Sequence, residues 1–275
     1  RDIDILGPMA EKGLAKVAKR GGRETSQGLV AAYVHMGRIG VLPEAAAEIV
    51  RLGSTLPGIE VVGTFTHFAA ADEPDSSFSL FQLAKLEETL CTLRNQQILP
   101  PVVSAANSAA TLTLRDAHFN AVRPGIILYG LPPASGMSLP VDLQPAMSLK
   151  TRIVHIKQVP ADTPVSYGCT YRTTERTWLA TLPLGYADAY SRHLSSRAPV
   201  LVRGIRRQAV GRICMDQTVI DLGPDCNAEI GDEAVLFGRQ GDAEITLTEL
   251  ADLAGTINYE LACGISPRVP RIYVE

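Results

Sequence analysis

The most regular part of the sequence begins with Ile59-Glu60-Val61-Val62-Gly63-Thr64-Phe65-Thr66, a run rich in β-branched residues that predicts a β-strand. The stretch from Ser77 to Gln97 follows it and carries apolar residues at three- and four-residue steps, the spacing of one helical face. Pro101 to Ser104 predicts the next strand, and a helix then runs through Thr113. Strands that alternate with helices predict an α/β fold with a parallel sheet or barrel. The apolar residues of the long helix are Phe78, Leu80, Leu83, Leu86, Leu90 and Leu93.

The first half of the chain is short for a complete barrel. Asn120 to Val122 and Ile126 to Tyr129 predict further strands. An eight-stranded β/α barrel needs ~250 residues, and the ~140 residues here suffice for about four or five β/α units. The sequence therefore predicts either a smaller α/β sheet or a barrel whose start lies outside the chain.

A different pattern follows the loop-forming residues Pro132 to Gly136. Short apolar runs are separated by Gly-Pro and Gly-Asp pairs, and one helix is predicted from Thr246 to Gly255. We therefore expect two domains, residues 1–142 with the incomplete barrel and residues 143–275 with a mostly-β domain. The predicted strands of the second domain are Leu149 to Val159, Trp178 to Pro183, Pro199 to Arg203, Ala209 to Leu222 and Ala234 to Gly238.

The composition excludes several classes of function. A net charge of −3 argues against nucleic acid as the main partner. The five cysteines lack CxxC or zinc-ligand spacing, so neither a disulfide framework nor a metal site is expected, and scattered thiols indicate the reducing cytoplasm. No apolar run approaches the ~18 residues of a membrane span.

Two neighbouring segments of the first domain could bind a phosphate. Arg123 ends a predicted strand and precedes Pro124-Gly125-Ile126, where glycine lets backbone N–H groups approach an anion. Asn107-Ser108 opens a helix one unit earlier, where free N–H groups favour phosphate. Ordinary helix capping beside a tight turn explains the same residues, so both interpretations stay open. His67, at another strand end, is by itself more typical of a structural histidine.

The order of six segments resembles that of the alanine racemases, a family of pyridoxal-phosphate (PLP) enzymes. The resemblance implies an isomerase that interconverts L- and D-alanine through a PLP aldimine and supplies D-alanine for cell-wall synthesis. It also implies a partial (β/α)8 (TIM-type) barrel followed by a mostly-β C-terminal domain, in a cytoplasmic homodimer with shared active sites. The segments are Met36-Gly37-Arg38-Ile39-Gly40, Thr66-His67-Phe68, Ala106-Asn107-Ser108-Ala109-Ala110, Val122-Arg123-Pro124-Gly125-Ile126, Val165-Ser166-Tyr167-Gly168-Cys169-Thr170-Tyr171 and Gly211-Arg212-Ile213-Cys214-Met215-Asp216.

The resemblance assigns cofactor-binding roles in the first domain. Arg123 would face the pyridine nitrogen of PLP, and His67 would pack near the ring. Because a guanidinium keeps its proton, it would leave that nitrogen largely unprotonated and disfavour a long-lived carbanion, which suits racemisation. The residues that would bind the cofactor phosphate, or flank it, are Asn107, Ser108, Gly125 and Ile126.

The resemblance assigns substrate binding and proton transfer to other residues. Arg38 would lie near the substrate carboxylate, a group that guanidinium pairs with in a fork. Met215 and Asp216 would line the substrate side, and Tyr186 the entrance. Tyr167, which alone reads as an aromatic residue at the edge of a turn, would be one of two catalytic bases. A free tyrosine has a pKa of ~10, so work near neutrality needs a shift of about three units, or ~4 kcal/mol.

The second base of the family is missing from these residues. It is the lysine that also binds PLP, in a setting such as Lys-Ala-x-Ala-Tyr-Gly, and none of the six lysines has that setting. Lys12, Lys16 and Lys19 instead have the spacing of a polar helix face. About six residues of the family pattern are also absent before Arg38. We therefore expect this chain alone to be inactive.

Two alternatives to a racemase stay open. One is a non-catalytic or degenerate relative that still binds PLP. The other is a different PLP enzyme of related fold, such as an amino-acid decarboxylase, although Arg123 argues against it because that chemistry benefits from a protonated ring nitrogen.

Overall fold

A computed structural model of the chain describes residues 14–16, 26–31, 36, 38–57 and 59–274. These residues form two units. The first contains the described residues up to Leu128 together with Gly136–Asp142, and the second contains Tyr129–Ser135 and the described residues from Leu143 onward. Within the described part of the chain, no helix is both long and apolar enough to cross a membrane.

The first unit contains a sheet in the order β1-β2-β3-β4 with helices between its later strands. β1 is antiparallel to β2, whereas β2, β3 and β4 are parallel. Parallel strands joined through helices confirm the predicted α/β pattern. The strands are β1 (Leu14–Lys16), β2 (Ser26–Ala31), β3 (Ile59–Phe65) and β4 (Val102–Ser104), and the helices are α1 (Ala46–Thr55), α2 (Ser77–Asn95) and α3 (Ser108–Thr113).

The parallel order brings the carboxyl ends of the strands to one edge of the sheet. Phe65 of β3 is in register with Ser104 of β4, and Ser104 forms a further parallel bridge to Ala121. Thr66 and Arg123 therefore follow neighbouring strand ends. This edge is where ligands bind in parallel α/β folds.

Helix α2 buries one of its faces, and most of its leucine residues lie on that face. Leu83, Leu86, Leu90 and Leu93 are buried, and full burial of a leucine contributes about 2 kcal/mol. Their spacing continues back to Gln82 and Ser79, which are buried as well. Phe78 and Leu80 are exposed, so the prediction that they share this face is wrong. Each lies about 100° around the helix from its buried neighbour Ser79, away from the face that packs.

Three sequence predictions in this unit need correction. Ile126–Tyr129 is a 3-10 turn rather than a strand, because the N–H of Leu128 bonds to the carbonyl of Gly125 immediately after Pro124. Of the predicted strand from Asn120 to Val122, only Ala121 forms a bridge. Lys16 lies in β1 rather than in a helix, and Lys12, Lys19, His35 and Gly37 lie outside the described residues.

The second unit is mostly β, as predicted. Its main sheet has the order β14-β13-β10-β11-β12-β9-β6, with β5 also paired to β13, and β7 and β8 form a separate hairpin. The strands are β5 (Leu149–Arg152), β6 (His155–Val159), β7 (Pro164–Val165), β8 (Tyr171–Arg172), β9 (Thr177–Leu182), β10 (Pro199–Val202), β11 (Ile205–Ala209), β12 (Thr218–Gly223), β13 (Glu233–Gln240) and β14 (Ala243–Ile245); the helices are α4 (Leu247–Ala254) and α5 (Asn258–Gly264).

Two predicted strands of this unit are interrupted. The run from Leu149 to Val159 forms β5 and β6, which pair with β13 and β9 respectively. The apolar run from Ala209 to Leu222 contains the end of β11, a loop at residues 210–217 and then β12. Gly211, with a φ of 71°, begins the loop, and a β-carbon on it would lie 2.7 Å from the carbonyl oxygen of Val165. The strand pattern therefore breaks where a neighbouring segment approaches closely, and this loop contains Met215 and Asp216.

Candidate active site

Arg123 is fixed at the carboxyl edge of the first unit's sheet by four hydrogen bonds to neighbouring strand ends. Its backbone N–H bonds to the carbonyl of Ala106 at 2.9 Å. Its guanidinium donates from Nη1 to Oγ of Ser104 at 2.5 Å, and from Nη2 to the carbonyls of Thr66 at 2.6 Å and Ala105 at 3.3 Å. It also lies 5.0 Å from the ring centroid of Phe65, where a cation is attracted to the aromatic face.

His67 receives a further contact from the same guanidinium. Nη2 of Arg123 lies 3.2 Å from Nδ1 of His67, and because arginine only donates, Nδ1 is the acceptor. Burial lowers the pKa of His67, and the positive charges of Arg123 and Arg38 lower it further. His67 is therefore neutral near pH 7, with its proton on Nε2.

Arg38 lies on the same side of the first unit as these residues. Its side chain is exposed, yet its charge lowers the pKa of both His67 and Arg123, for which burial is the larger cause. A guanidinium whose charge lowers the pKa of another marks a region of positive potential. Such a region attracts an anionic ligand.

The residues of the predicted phosphate cradle meet at the start of α3. The N–H of Gly125 donates to Oγ of Ser108 at 2.8 Å, which joins two segments that lie 17 residues apart. A β-carbon on Gly125 would lie 3.6 Å from that oxygen, so the glycine keeps the space in front of Ser108 open. Asn107 caps the helix by accepting from the N–H of Ala110, and Ile126 is buried behind the turn. Both predicted functions, capping and a cradle, are compatible with these contacts.

Tyr167 lies at the tip of the β7–β8 hairpin in the second unit, and 70% of its surface is exposed. Left-handed backbone angles surround it, with φ values of 62° at Ser166, 72° at Gly168 and 48° at Cys169. Such angles strain a non-glycine residue. The hydroxyl of Ser166 donates to the carbonyl of Arg212 at 2.5 Å, which ties the strained turn to the loop after β11.

The turn that contains Tyr186 is also hydrogen-bonded to the loop after β11. The N–H of Tyr186 bonds to the carbonyl of Cys214, and the N–H of Ala187 bonds to that of Met215, both at 3.0 Å. A β-carbon on Gly185 would lie 2.2 Å from the Cys214 oxygen, so only glycine permits this approach. The second unit thus brings the turns of Tyr167, Tyr186, Met215 and Asp216 together through one loop.

Arg268 contacts both the loop that contains Asp216 and the turn that contains Tyr186 and Asp188. Its role was not predicted from the sequence. Its Nη2 lies 2.6 Å from Oδ1 of Asp216, and its Nε lies 3.4 Å from Oδ1 of Asp188. The other oxygen of Asp188, Oδ2, accepts from the N–H of Gly185. Ser104 was missed as well, and its place at the end of the strand beside Arg123 is the signal that could have identified it.

The first unit's residues fit PLP by their chemistry. A phosphate needs hydrogen-bond donors, and the hydroxyl of Ser108 at the start of α3 is one of them. A pyridine nitrogen needs a donor, and Arg123 has a fork of N–H groups held in place by fixed acceptors. His67, buried in part and uncharged, provides a flat surface for an aromatic ring.

Two models of known protein families match the chain, one over most of each unit. Residues 10–133 match the model of the alanine racemase N-terminal domain, and residues 146–273 match that of the alanine racemase C-terminal domain. The chain belongs to the alanine racemase family. The predicted fold class, a partial (β/α)8 barrel followed by a mostly-β domain, is confirmed by solved structures of this family.

Individual alanine racemases resemble the chain over most of its length. That of Symbiobacterium thermophilum is 50% identical over 241 residues, 86% of this chain and 63% of the relative. That of Halothermothrix orenii is 46% identical over 238 residues, again 86% and 63%. The Bacillus anthracis alanine racemase, solved with bound L-Ala-P, has a TM-score of 0.85 at 42% identity and is matched over 91% of this chain and 65% of its own. The chain therefore spans just under two thirds of these alanine racemases.

Proposed function

We propose that the protein containing these 275 residues is an alanine racemase that uses PLP to interconvert L- and D-alanine. The cluster of Arg123, His67, Ser108 and Gly125 carries the proposal, because it combines a donor for a ring nitrogen with a cradle for a phosphate. The family relatives support the substrate, since they are named alanine racemases. Cytoplasmic location and the supply of D-alanine for the cell wall stay predictions.

Arg123 sets the electronic character of the site. PLP supplies, when bound, an electron-withdrawing ring that weakens the Cα–H bond of an attached amino acid. Arg123 donates hydrogen bonds but does not give up a proton, because guanidinium groups stay charged in proteins. Arg123 would therefore leave the ring nitrogen of PLP unprotonated, which would favour removal and return of a proton over decarboxylation or transamination.

Tyr167 removes the α-proton from one face of alanine or returns it there. Its exposure at a hairpin tip suits a residue that reaches a substrate outside its own unit, as expected of a homodimer with shared sites. The second base is a lysine outside these residues, since none of the six lysines has the family setting. Arg38 binds the substrate carboxylate, and Met215, Asp216 and Tyr186 border the substrate.

Deuterium exchange tests the role of Tyr167 in the longest natural protein that contains these residues. Loss of one general base lowers proton transfer about 10²- to 10⁴-fold, so Tyr167→Phe should lose Cα exchange on one enantiomer far more than on the other. Tyr273→Phe is the matched control at an exposed tyrosine. Equal exchange of both enantiomers at the native rate in Tyr167→Phe would overturn the assignment.

A second candidate is a protein that binds PLP without catalysis, and the absence of the lysine motif favours it for the 275-residue chain alone. On this view the chain forms no D-alanine and no borohydride-reducible bond to PLP, yet binds PLP in a manner that phosphate competes with. Substantial D-alanine formation by the chain alone would exclude it.

A further inference from the structure

A separate cleft lies on the second unit, on residues that have no part in the proposed reaction. It has a volume of about 270 Å³, below the usual range for drug-sized ligands, and is lined by strands β11 and β12 and the segment before β9. Its charged lining residues are Arg206, Arg207, Glu175 and Asp221. The hydrogen bonds of these four decide what the cleft can bind.

Two of the four charged groups already have hydrogen-bond partners within the chain. Asp221 accepts at Oδ2 from the hydroxyl of Tyr171 at 2.8 Å, and at Oδ1 from the hydroxyl of Thr177 and the N–H of Gly223. Arg206 donates to the carbonyl of Glu244 at 2.8 Å and pairs with the carboxylate of Glu249. Both groups are therefore already held by partners within the chain.

Arg207 is different, although it is adjacent to Arg206 in the sequence. Its Nε is buried and has no hydrogen-bond partner among the described residues. Its Nη1 lies near Gly223, where a β-carbon would be only 3.4 Å away, so the glycine leaves room for the guanidinium. A buried donor without an acceptor is rare in proteins, because it has lost its water without replacement.

The geometry points to Arg207 as the anchor of a second binding site, for a small monocarboxylate. The Nε and Nη hydrogens of a guanidinium form a fork that two carboxylate oxygens satisfy together, which would give the buried Nε its missing acceptor. Glu175 lines the same cleft and is exposed. Its negative charge selects against ligands with two or more negative charges, such as sulfate.

NMR titration of the 275-residue chain with acetate tests the site. The expected result is saturable shifts of the amides of Gln208 and Gly223, which line the cleft, with weaker binding of sulfate. Arg207→Gln should weaken acetate binding at least tenfold, and Arg207→Lys should weaken it less because it keeps the charge but not the fork. Glu175→Gln should strengthen it about twofold, since a repulsive charge is removed.

Arg206→Gln is the matched control, because it removes a neighbouring arginine of the same cleft whose guanidinium is already paired. It should bind acetate within twofold of the native chain. Equal acetate affinity in the native chain and Arg207→Gln, or an equal loss in Arg206→Gln, would overturn the proposal. Sulfate binding as tight as acetate would overturn the monocarboxylate assignment. Native-like amide dispersion in Arg207→Lys shows that the fold is retained.

Discussion

Nη2 of Arg123 donates to Nδ1 of His67 across 3.2 Å, joining a residue just beyond the bridge at Ala121 to one just beyond β3, 56 residues apart in the chain. The contact therefore affects both the protonation of His67 and the position of the Arg123 guanidinium. Burial and then Arg123 lower the pKa of His67 and so favour its neutral form, and His67 adds one more acceptor to a guanidinium that is already fixed by Ser104 and Thr66.

The first prediction concerns pH. The pKa of His67 is lowered by burial and by Arg123 and Arg38, so the unfolded chain binds a proton at a higher pH than the folded chain does. The contribution of His67 is therefore complete above its ordinary value of 6.5 and is lost as the pH falls below it. Urea unfolding from pH 7.5 down to pH 5.5 should show falling stability in the native chain and a flatter profile in His67→Gln. His155→Gln, at an exposed histidine, should keep the native profile; an unchanged slope in His67→Gln would refute the prediction.

The second prediction concerns Arg123. Arg123→Gln removes charge-assisted hydrogen bonds to Ser104 and Thr66, each worth about 1.5–3 kcal/mol, so it should lower the free energy of unfolding by several kcal/mol. Arg51 donates to Gln96 at the surface, and Arg51→Gln should change stability by less than about 0.5 kcal/mol. Chemical denaturation of both variants gives the comparison, and similar losses would show that the Arg123 cluster is not a structural unit.

The third prediction compares two tyrosines of the second unit. Burial and Asp221 raise the pKa of Tyr171 to about 12, and its hydroxyl bonds to that carboxylate, so Tyr171→Phe should cost about 1–2 kcal/mol. Tyr190 is buried, and its hydroxyl has no hydrogen-bond partner among the described residues. Tyr190→Phe removes only an unsatisfied group and should be neutral or stabilise by about 1 kcal/mol. Thermal unfolding of both variants decides; equal destabilisation would contradict the assigned contacts.

The fourth prediction compares two glycines. A β-carbon on Gly185 would lie 2.2 Å from the Cys214 carbonyl, so Gly185→Ala must separate the turns of Tyr186 and Met215 and should cost about 1–3 kcal/mol or more. A β-carbon on Gly125 meets Ser108 at an ordinary 3.6 Å, so Gly125→Ala should fold with nearly native stability. It should nevertheless weaken PLP binding, because the methyl group occupies the cradle. A calorimetric scan and a PLP titration of each variant separate the two effects.

The sequence by itself determined the alternation of strands and helices, the change to a mostly-β pattern after the loop at Pro132 to Gly136, and the family. These features depend on local periodicity, turn residues and short motifs, all of which are visible in a linear order. The same local signals gave a wrong prediction at Ile126–Tyr129. Its β-branched residues predicted a strand, but the segment follows Pro124 and forms a 3-10 turn, in which the N–H of Leu128 donates to the carbonyl of Gly125. Local signals also gave a wrong prediction at Ala209–Leu222, where an approaching segment divides the strand.

Only the tertiary structure decided which residues of each unit act together. Arg268 and Arg207 have no distinguishing local pattern, because their roles depend on partners or gaps far away in the sequence. Ser104 meets Arg123 only because parallel strands align their carboxyl ends, and Arg268 meets Asp216 across 52 residues. Hydrogen bonds of this kind depend on distance and angle in space, which the order of residues does not contain.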